Sequence, residues 1–291
     1  MTLKEYLNQR YRPKTAECYL RDITQFTASC QNAKNAEYTE LLNYLKELRK
    51  TQKAASLHRI LQGLKKYYAY LVNEGMREDN PAQSISIKDN YRHLPVLPQS
   101  LLSAQELEEA QSYILTKKYR YRLLKHRDMS MLGLLLHQGL RAGEFALLKT
   151  EDIDLDKGTV FVPSAPRTMS RTLALESMQI LPFYHYLQGR NSLIKSPTDK
   201  LFITKTGEEE RGETLHYLAS LLCPLFPEKK INPKVIRMSV IARQFELGHR
   251  LQAVQYFAGH CYPDSTERYN LSALQQLQQE ILLHHPLTGI L

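Results

Sequence analysis

Four side chains in the later part of the chain have types and an order that suit one chemistry. They are Arg141 in HQGLRAGEFALL, Arg237 in NPKVIRMSVIARQF, His260 in VQYFAGHCYPDS and Tyr269 in DSTERYNL. Guanidinium groups grip phosphate oxygens bidentately and stabilise the charge that grows on a pentacoordinate phosphorus. A phenol, with an ordinary pKa of about 10, is a weak nucleophile at neutral pH and needs such a cationic surround. Together the set suits attack of a tyrosine hydroxyl on a phosphodiester. The resulting ester conserves the energy of the broken bond, so the reaction asks for no cofactor, neither ATP nor a metal. Each residue also has a plainer reading. Arg141 could pair with Glu144 at a helix end, Arg237 could be a surface charge, His260 a packed cap residue and Tyr269 merely amphipathic.

Competing machinery is absent from the 291 residues. With 12 glycines the chain has no GxGxxG and no GxxxxGK[ST], and HExxH and GxSxG are missing too. Cys18, Cys30, Cys223 and Cys261 form no CxxC pair and no spaced metal set, so a reduced chain without zinc or disulfide is expected. Nothing approaches the roughly 20 apolar residues that cross a bilayer. The opening MTLKEYLNQRYRPKT lacks the apolar middle of a secretory signal. A cytoplasmic, nucleoid-associated protein with no membrane contact is the expectation. The formal charge is +9, and residues 1–100 hold 16 Lys and Arg against 10 Asp and Glu. That basic excess at the N-terminal end points to a polyanion, bound through release of its counterions.

The elements that must position these groups fall into two blocks, as the length also implies. Residues 1–85 read as a helical domain. Cys18, Tyr19, Ile23, Phe26 and Cys30 recur at helical steps, with Thr15 as their cap. Leu41, Leu42, Leu45 and Leu48 make a second stripe. Leu57, Ile60, Leu61, Leu64, Tyr68 and Leu71 make a third, closed by Gly75. Lys53, Arg59, Lys65 and Lys66 on and beside that third helix are candidate DNA contacts. For Lys65 and Lys66 a solvated face is the equal alternative. Residues 86–100, with two prolines and basic Lys88 and Arg92, read as a linker that could follow a DNA backbone. Residues 101–291 read as the second domain. It opens on a capping box from Ser103 to Glu106, continues with a buried helix ending at Gly139, and then shows two short strands around a turn that holds Pro166, Arg167 and Ser170. Later helices include TLHYLASLLCPLF, KVIRMSVIARQFELG, LQAVQYFAGH and SALQQLQQEILLHH.

Three blocks resemble the tyrosine recombinases of the phage-integrase and Xer family. QGLRAGEFALLKTEDID is similar to the family's first arginine box, and LQAVQYFAGHCYPDSTERYNL to its block of histidine and tyrosine nine residues apart. SLHRILQGLKKYYAYLVNEGMREDNPA resembles the end of its helical core-binding domain. The resemblance implies a mainly α fold with a small β-hairpin or sheet, in which a SAM-like core-binding domain precedes a catalytic domain. It implies site-specific cutting and rejoining of DNA strands, with Tyr269 forming a 3′-phosphotyrosyl link. Arg141 and Arg237 would clamp the scissile phosphate, His260 would hydrogen-bond a non-bridging oxygen, and Glu144 would orient the loop around Arg141.

Two departures from the family pattern stand out. The box His-x-x-Arg reads Lys234-Val-Ile-Arg237, and an ammonium cannot accept the tyrosine proton. Type IB topoisomerases are similar in carrying lysine there. The family's lysine in the hairpin turn is missing from SAPRTMSRTLAL, where Arg167 is the nearest match and Arg171 the next. Arginine would stabilise a leaving oxyanion better than protonate it. A catalytically weakened DNA-binding member of the fold and a topoisomerase-like enzyme are therefore the alternatives to a recombinase. The resemblance also implies double-stranded DNA with inverted-repeat core sites as the partner, with accessory DNA-bending proteins. A homotetramer on two duplexes would be tied together by a C-terminal helix bearing Leu271, Leu274, Leu277, Ile281 and Leu282.

Overall fold

The structure, a computed structural model, describes residues 1–88, 96–119 and 124–271. The chain divides into two compact units, Met1–Leu94 and Pro95–Leu291, each with a core of its own. Arg92 and the tail residues Leu274, Leu277, Ile281 and Leu282 lie outside the described residues.

The first unit is helical: α1 Leu3–Arg10, α2 Pro13–Ser29, α3 Tyr38–Arg49 and α4 Ala54–Asn73. Pro13 takes the first position of α2, where a missing N–H costs nothing, so the helix begins ahead of Thr15 and Arg12 holds the cap position. The apolar period of α4 buries Leu57, Ile60, Leu61, Leu64, Tyr68 and Leu71. Burying each leucine or isoleucine contributes about 1.5–3 kcal/mol, which is what holds a helix of this composition to its neighbours. Tyr68 goes in with its hydroxyl donating to the Ala33 carbonyl at 2.8 Å. Gly75 ends α4 as the pattern predicts. Its φ of 67° is left-handed, and Gly75 N–H reaches the Val72 oxygen while Met76 N–H reaches the Leu71 oxygen, a Schellman closure.

The second unit begins with α5 Ala104–Thr116, which starts on the Ser103–Glu106 capping box. Then come α6 Lys125–Leu136, the short α7 Ala142–Phe145, and three strands. These are β1 Ile153–Asp154, β2 Thr159–Val162 and β3 Arg171–Ala174, an antiparallel sheet in the order β1-β2-β3 with Val160 opposite both Ile153 and Leu173. Helices α8 Ser177–Arg190, α9 Glu213–Ser220, α10 Pro233–Glu246, α11 Leu251–Ala258 and α12 Asp264–Glu267 complete the unit. Helix α6 is apolar nearly all round (Met131, Leu132, Leu134, Leu135 and Leu136 are buried) and forms the middle of the core. The expected fold class, mainly α with a small sheet, is what the chain adopts. Helix α8, which carries Pro182 inside it, is not among the helices read from the sequence. Among the described residues no helix is long and apolar enough to cross a membrane.

Candidate active site

Arg141 is placed by the turn that ends α6. Gly139 adopts φ 59°, and a Cβ there would press on Val240 of α10 at 3.2 Å, so the turn can lie close against that helix. Leu140 is buried, and Arg141 follows at the start of α7 with its N–H donating to Glu144 Oε2 at 2.7 Å. Among the described residues no carboxylate pairs with the Arg141 guanidinium, unlike those of Arg171 and Arg237.

Arg237 is buried on α10, 6 % exposed, which rules out a mere surface charge. Asn232 caps that helix through the Lys234 and Val235 N–H groups and fixes where Arg237 falls. Nη1 donates to the Gly139 carbonyl and Nη2 to the Ala258 carbonyl, both at 2.6 Å. One guanidinium thus joins the Arg141 turn to the end of α11. Burial pushes its pKa down to about 10 against the pull of Glu144, with Arg141 and Arg171 adding to the fall, and it stays a cation at neutral pH.

His260 follows Gly259, the left-handed cap of α11. Its Nε2 stands 3.3 Å from Arg237 Nη2, and its Nδ1 2.9 Å from Thr266 Oγ1. A guanidinium can only donate, so Nε2 accepts and Nδ1–H donates to Thr266. Burial first, then Arg237, Arg141 and Arg171, push the imidazole down to about 3, which keeps it neutral. Neutral, it is an acceptor toward Arg237. A phosphate anion, by offsetting those three cations, favours the protonated form that could donate to it.

Tyr269 lies just past α12, with its ring near parallel to that of His260 (23° between planes, centroids 6.0 Å apart). Its backbone N–H bonds the Thr266 carbonyl at 3.0 Å, so Thr266 fixes both the imidazole and the tyrosine. The ring packs on Ile241, Val254 and Ala258. The structure therefore brings Arg141, Arg237, His260 and Tyr269 into one site.

Lys234 is exposed in the first turn of α10, three residues before Arg237 and so on the same face. Arg167 is exposed at the tip of the β2–β3 connection, with a left-handed φ of 70°. That tip is tied down on the site: Met169 N–H donates to the Gly259 carbonyl at 2.9 Å, and Thr168 bridges His260. Arg171, the other candidate for the hairpin position, is wholly buried and forms a two-pronged ion pair with Glu144 at 2.9 and 3.1 Å. The sequence signal for that pair is the alternation on β3, which puts Arg171 on the same inward face as Leu173 and so requires a buried partner. Two guanidiniums, those of Arg171 and Arg237, meet one carboxylate here, and the Arg141 guanidinium adds to a positive excess that suits a phosphate. Among the described residues no group of three or more His, Cys, Asp or Glu stands together to hold a metal ion.

The candidate DNA contacts of the first unit differ from one another. Lys53, at the head of α4, and Lys88 are exposed. Arg59 is ion-paired with the buried Asp22. Lys65 Nζ donates to the Gln83 carbonyl at 2.9 Å, and Lys66 lies 5.9 Å from the Tyr11 ring centre.

A carboxyl-terminal tyrosine set among buried arginines and a histidine, on a helical domain with a small sheet, defines the tyrosine-type strand-transfer enzymes. The pattern of the phage integrase family matches residues 103–276, and that of the phage integrase N-terminal SAM-like domain matches residues 3–75. The chain belongs to the phage integrase family. It is 26% identical to tyrosine recombinase XerC of Pseudomonas savastanoi pv. phaseolicola over 281 residues, 94% of this chain and 90% of the relative. It is 29% identical over 242 residues to tyrosine recombinase XerD of Yersinia pestis, 80% of this chain and 77% of the relative. In fold it is similar to the XerH site-specific recombinase bound to palindromic difH substrate (TM-score 0.70, 19% identity, 89% of this chain and 75% of that one). It is also similar to a lambda integrase dimer bound to a COC′ core site (TM-score 0.65, 16% identity, 93% and 77%). The class expected from the sequence, a site-specific DNA recombinase of the tyrosine type, is borne out.

Proposed function

We propose that this chain recombines DNA at specific sites by transient esterification of Tyr269 to a broken strand. The Tyr269 hydroxyl attacks the scissile phosphorus and gives its proton to water, the bond to the 5′-oxygen breaks and that oxygen takes a proton from water, and a 3′-phosphotyrosyl link holds the cut end. Attack by a 5′-hydroxyl from the partner duplex reverses the chemistry and releases the tyrosine. Arg141 and Arg237 hold the non-bridging oxygens, with Glu144 fixing the Arg141 turn. His260 donates to one of those oxygens once phosphate has favoured its protonation. Lys234 adds a further phosphate contact, and Arg167 stabilises the leaving 5′-oxygen from the hairpin tip. The observation that carries this reading is Arg237, buried and bonded to both the Arg141 turn and the end of α11, beside an imidazole that faces Tyr269.

The partner in this reading is double-stranded DNA with inverted-repeat core sites, contacted in part by Lys53, Arg59, Lys65, Lys66, Lys88 and Arg92. A homotetramer joined through the C-terminal segment and aided by DNA-bending proteins would pair two sites in the cytoplasm. The test is a library of randomised duplexes carrying a nick, incubated with the protein and denatured, with covalent adducts recovered and sequenced. Adducts on one inverted-repeat family, lost in Tyr269→Phe, are expected. Specific binding without any adduct would instead favour the catalytically weakened alternative, which Lys234 and the lack of a hairpin lysine motivate.

A further inference from the structure

We propose that Arg171 is a positioning residue for strand cleavage, whose guanidinium secures the Glu144 carboxylate on which the Arg141 turn and Arg237 rest. The inference rests on the reading of Tyr269 as nucleophile. Arg171 is not placed to serve the leaving oxygen itself, because its side chain is wholly buried and all three of its nitrogens are turned to protein acceptors. Nη1 and Nη2 engage the two Glu144 oxygens at 2.9 and 3.1 Å, and Nε donates to the Phe257 carbonyl at 2.8 Å. One side chain of β3 therefore ties the hairpin to the α7 turn and to the last turn of α11, one residue short of the Gly259–His260 segment.

Glu144 is 1 % exposed. The groups that face it are Arg171 from β3, Arg237 Nη1 from α10 at 3.6 Å, and the Arg141 N–H of its own turn at 2.7 Å. His260, past α11, meets it only across Arg237. Burial by itself raises the Glu144 carboxyl. The hydrogen bonds and charge of Arg171, followed by the charge of Arg237, outweigh burial and hold it below the ordinary carboxylate range. Without Arg171 the strongest of these opposing effects is lost and the burial remains, so the carboxyl rises. Once protonated, Glu144 no longer balances Arg237 and binds the Arg141 N–H less firmly. The catalytic arginines then loosen although neither has been altered.

This predicts an acid limb that a merely structural arginine would not produce. Single-turnover adduct formation on a nicked duplex from the randomised selection would be followed from pH 8 to pH 5. In R171Q the rate relative to wild type is expected to fall as pH falls, approaching tenfold per pH unit below the raised carboxyl pKa. R171Q/E144Q, which lacks the titrating group, should run parallel to wild type at a lower rate. R171K, which keeps the charge, should also stay parallel to wild type. Profiles of R171Q and wild type that remain parallel would overturn the proposal, as would an acid limb that survives in R171Q/E144Q. Should R171Q fail to fold, R171K carries the test: a slower rate with the wild-type pH shape is expected, and an unchanged rate overturns it. An adduct that survives Tyr269→Phe would instead sink the nucleophile reading, and this inference with it.

Discussion

Gly259 and Arg171 are fitted to one another: a Cβ on residue 259 would stand 2.9 Å from Arg171 Cζ and closer still to Nη1. Gly259 also has a left-handed φ of 67°. Gly259→Ala therefore meets two penalties, the backbone strain and the displacement of a buried ion pair. Gly75 supplies the control, since it has the same φ but open space around it. Gly75→Ala is expected to cost about 1 kcal/mol in urea unfolding. Gly259→Ala should cost about 3 kcal/mol or more, with loss of adduct formation. Equal costs at the two positions would show that the Arg171 contact carries no weight.

His260 makes stability depend on pH in a defined direction. Its folded-state pKa, about 3, lies below the ordinary histidine value, so between about 6.5 and 3 the unfolded chain binds a proton that the folded chain does not. Stability from this group is complete above that window and is lost as pH falls through it, by up to about 1.4 kcal/mol per pH unit. His260→Gln should flatten the slope by that amount in urea unfolding at pH 7.0, 5.5 and 4.5. An unchanged slope would mean that the imidazole is already protonated in the folded protein.

Arg59 and Lys53 read alike in the sequence, as cations on or beside one helix, and the fold separates them. Asp22 is 3 % exposed and paired with Arg59. Arg59→Ala removes the nearer partner of a buried carboxylate, leaving it only Arg21 at 4.0 Å, and should cost about 3 kcal/mol of stability. Lys53→Ala should leave stability unchanged and reduce the salt slope of DNA binding by about one unit. Urea unfolding, and anisotropy of a labelled duplex at several salt concentrations, distinguish the two.

What the sequence displays is what is local. The α4 stripe and its closing Gly75 are legible because the period and the left-handed cap lie within one stretch of chain. Helix α8 is hidden by Pro182, which removes the hydrogen bond to the carbonyl four residues earlier. It forms nonetheless because Phe183 and Tyr186 reach the core, with the Tyr186 hydroxyl donating to the Leu201 carbonyl at 2.8 Å. Tertiary burial overrides the local penalty there. In the site, the order of Arg141, Arg237, His260 and Tyr269 is visible, but their mutual support is not. Glu144 and Arg171 are separated by 27 residues, and only the return of β3 beside α7 makes them partners. For the same reason Arg171 could be mistaken for a residue of the hairpin turn.

Lys234 offers the sharpest test of how the tyrosine loses its proton. In the proposed reaction Lys234, three residues before Arg237, contributes a phosphate contact where an imidazole would offer the phenol an acceptor. His260, the other nitrogen base near Tyr269, is pushed down to about 3 and already accepts from Arg237. In the proposed reaction the phenol proton therefore passes to water, and general-base assistance is typically worth 10²–10⁴-fold where it is present. Lys234→His places an imidazole in the exposed first turn of α10, where nothing buried need be rearranged. It is expected to raise the single-turnover adduct rate roughly tenfold above pH 7 and to add an acid limb near the ordinary histidine pKa of about 6.5. Lys234→Ala should slow the reaction without adding a limb. If Lys234→His is as slow as Lys234→Ala across the whole range, proton removal does not limit cleavage and Lys234 acts through its charge alone.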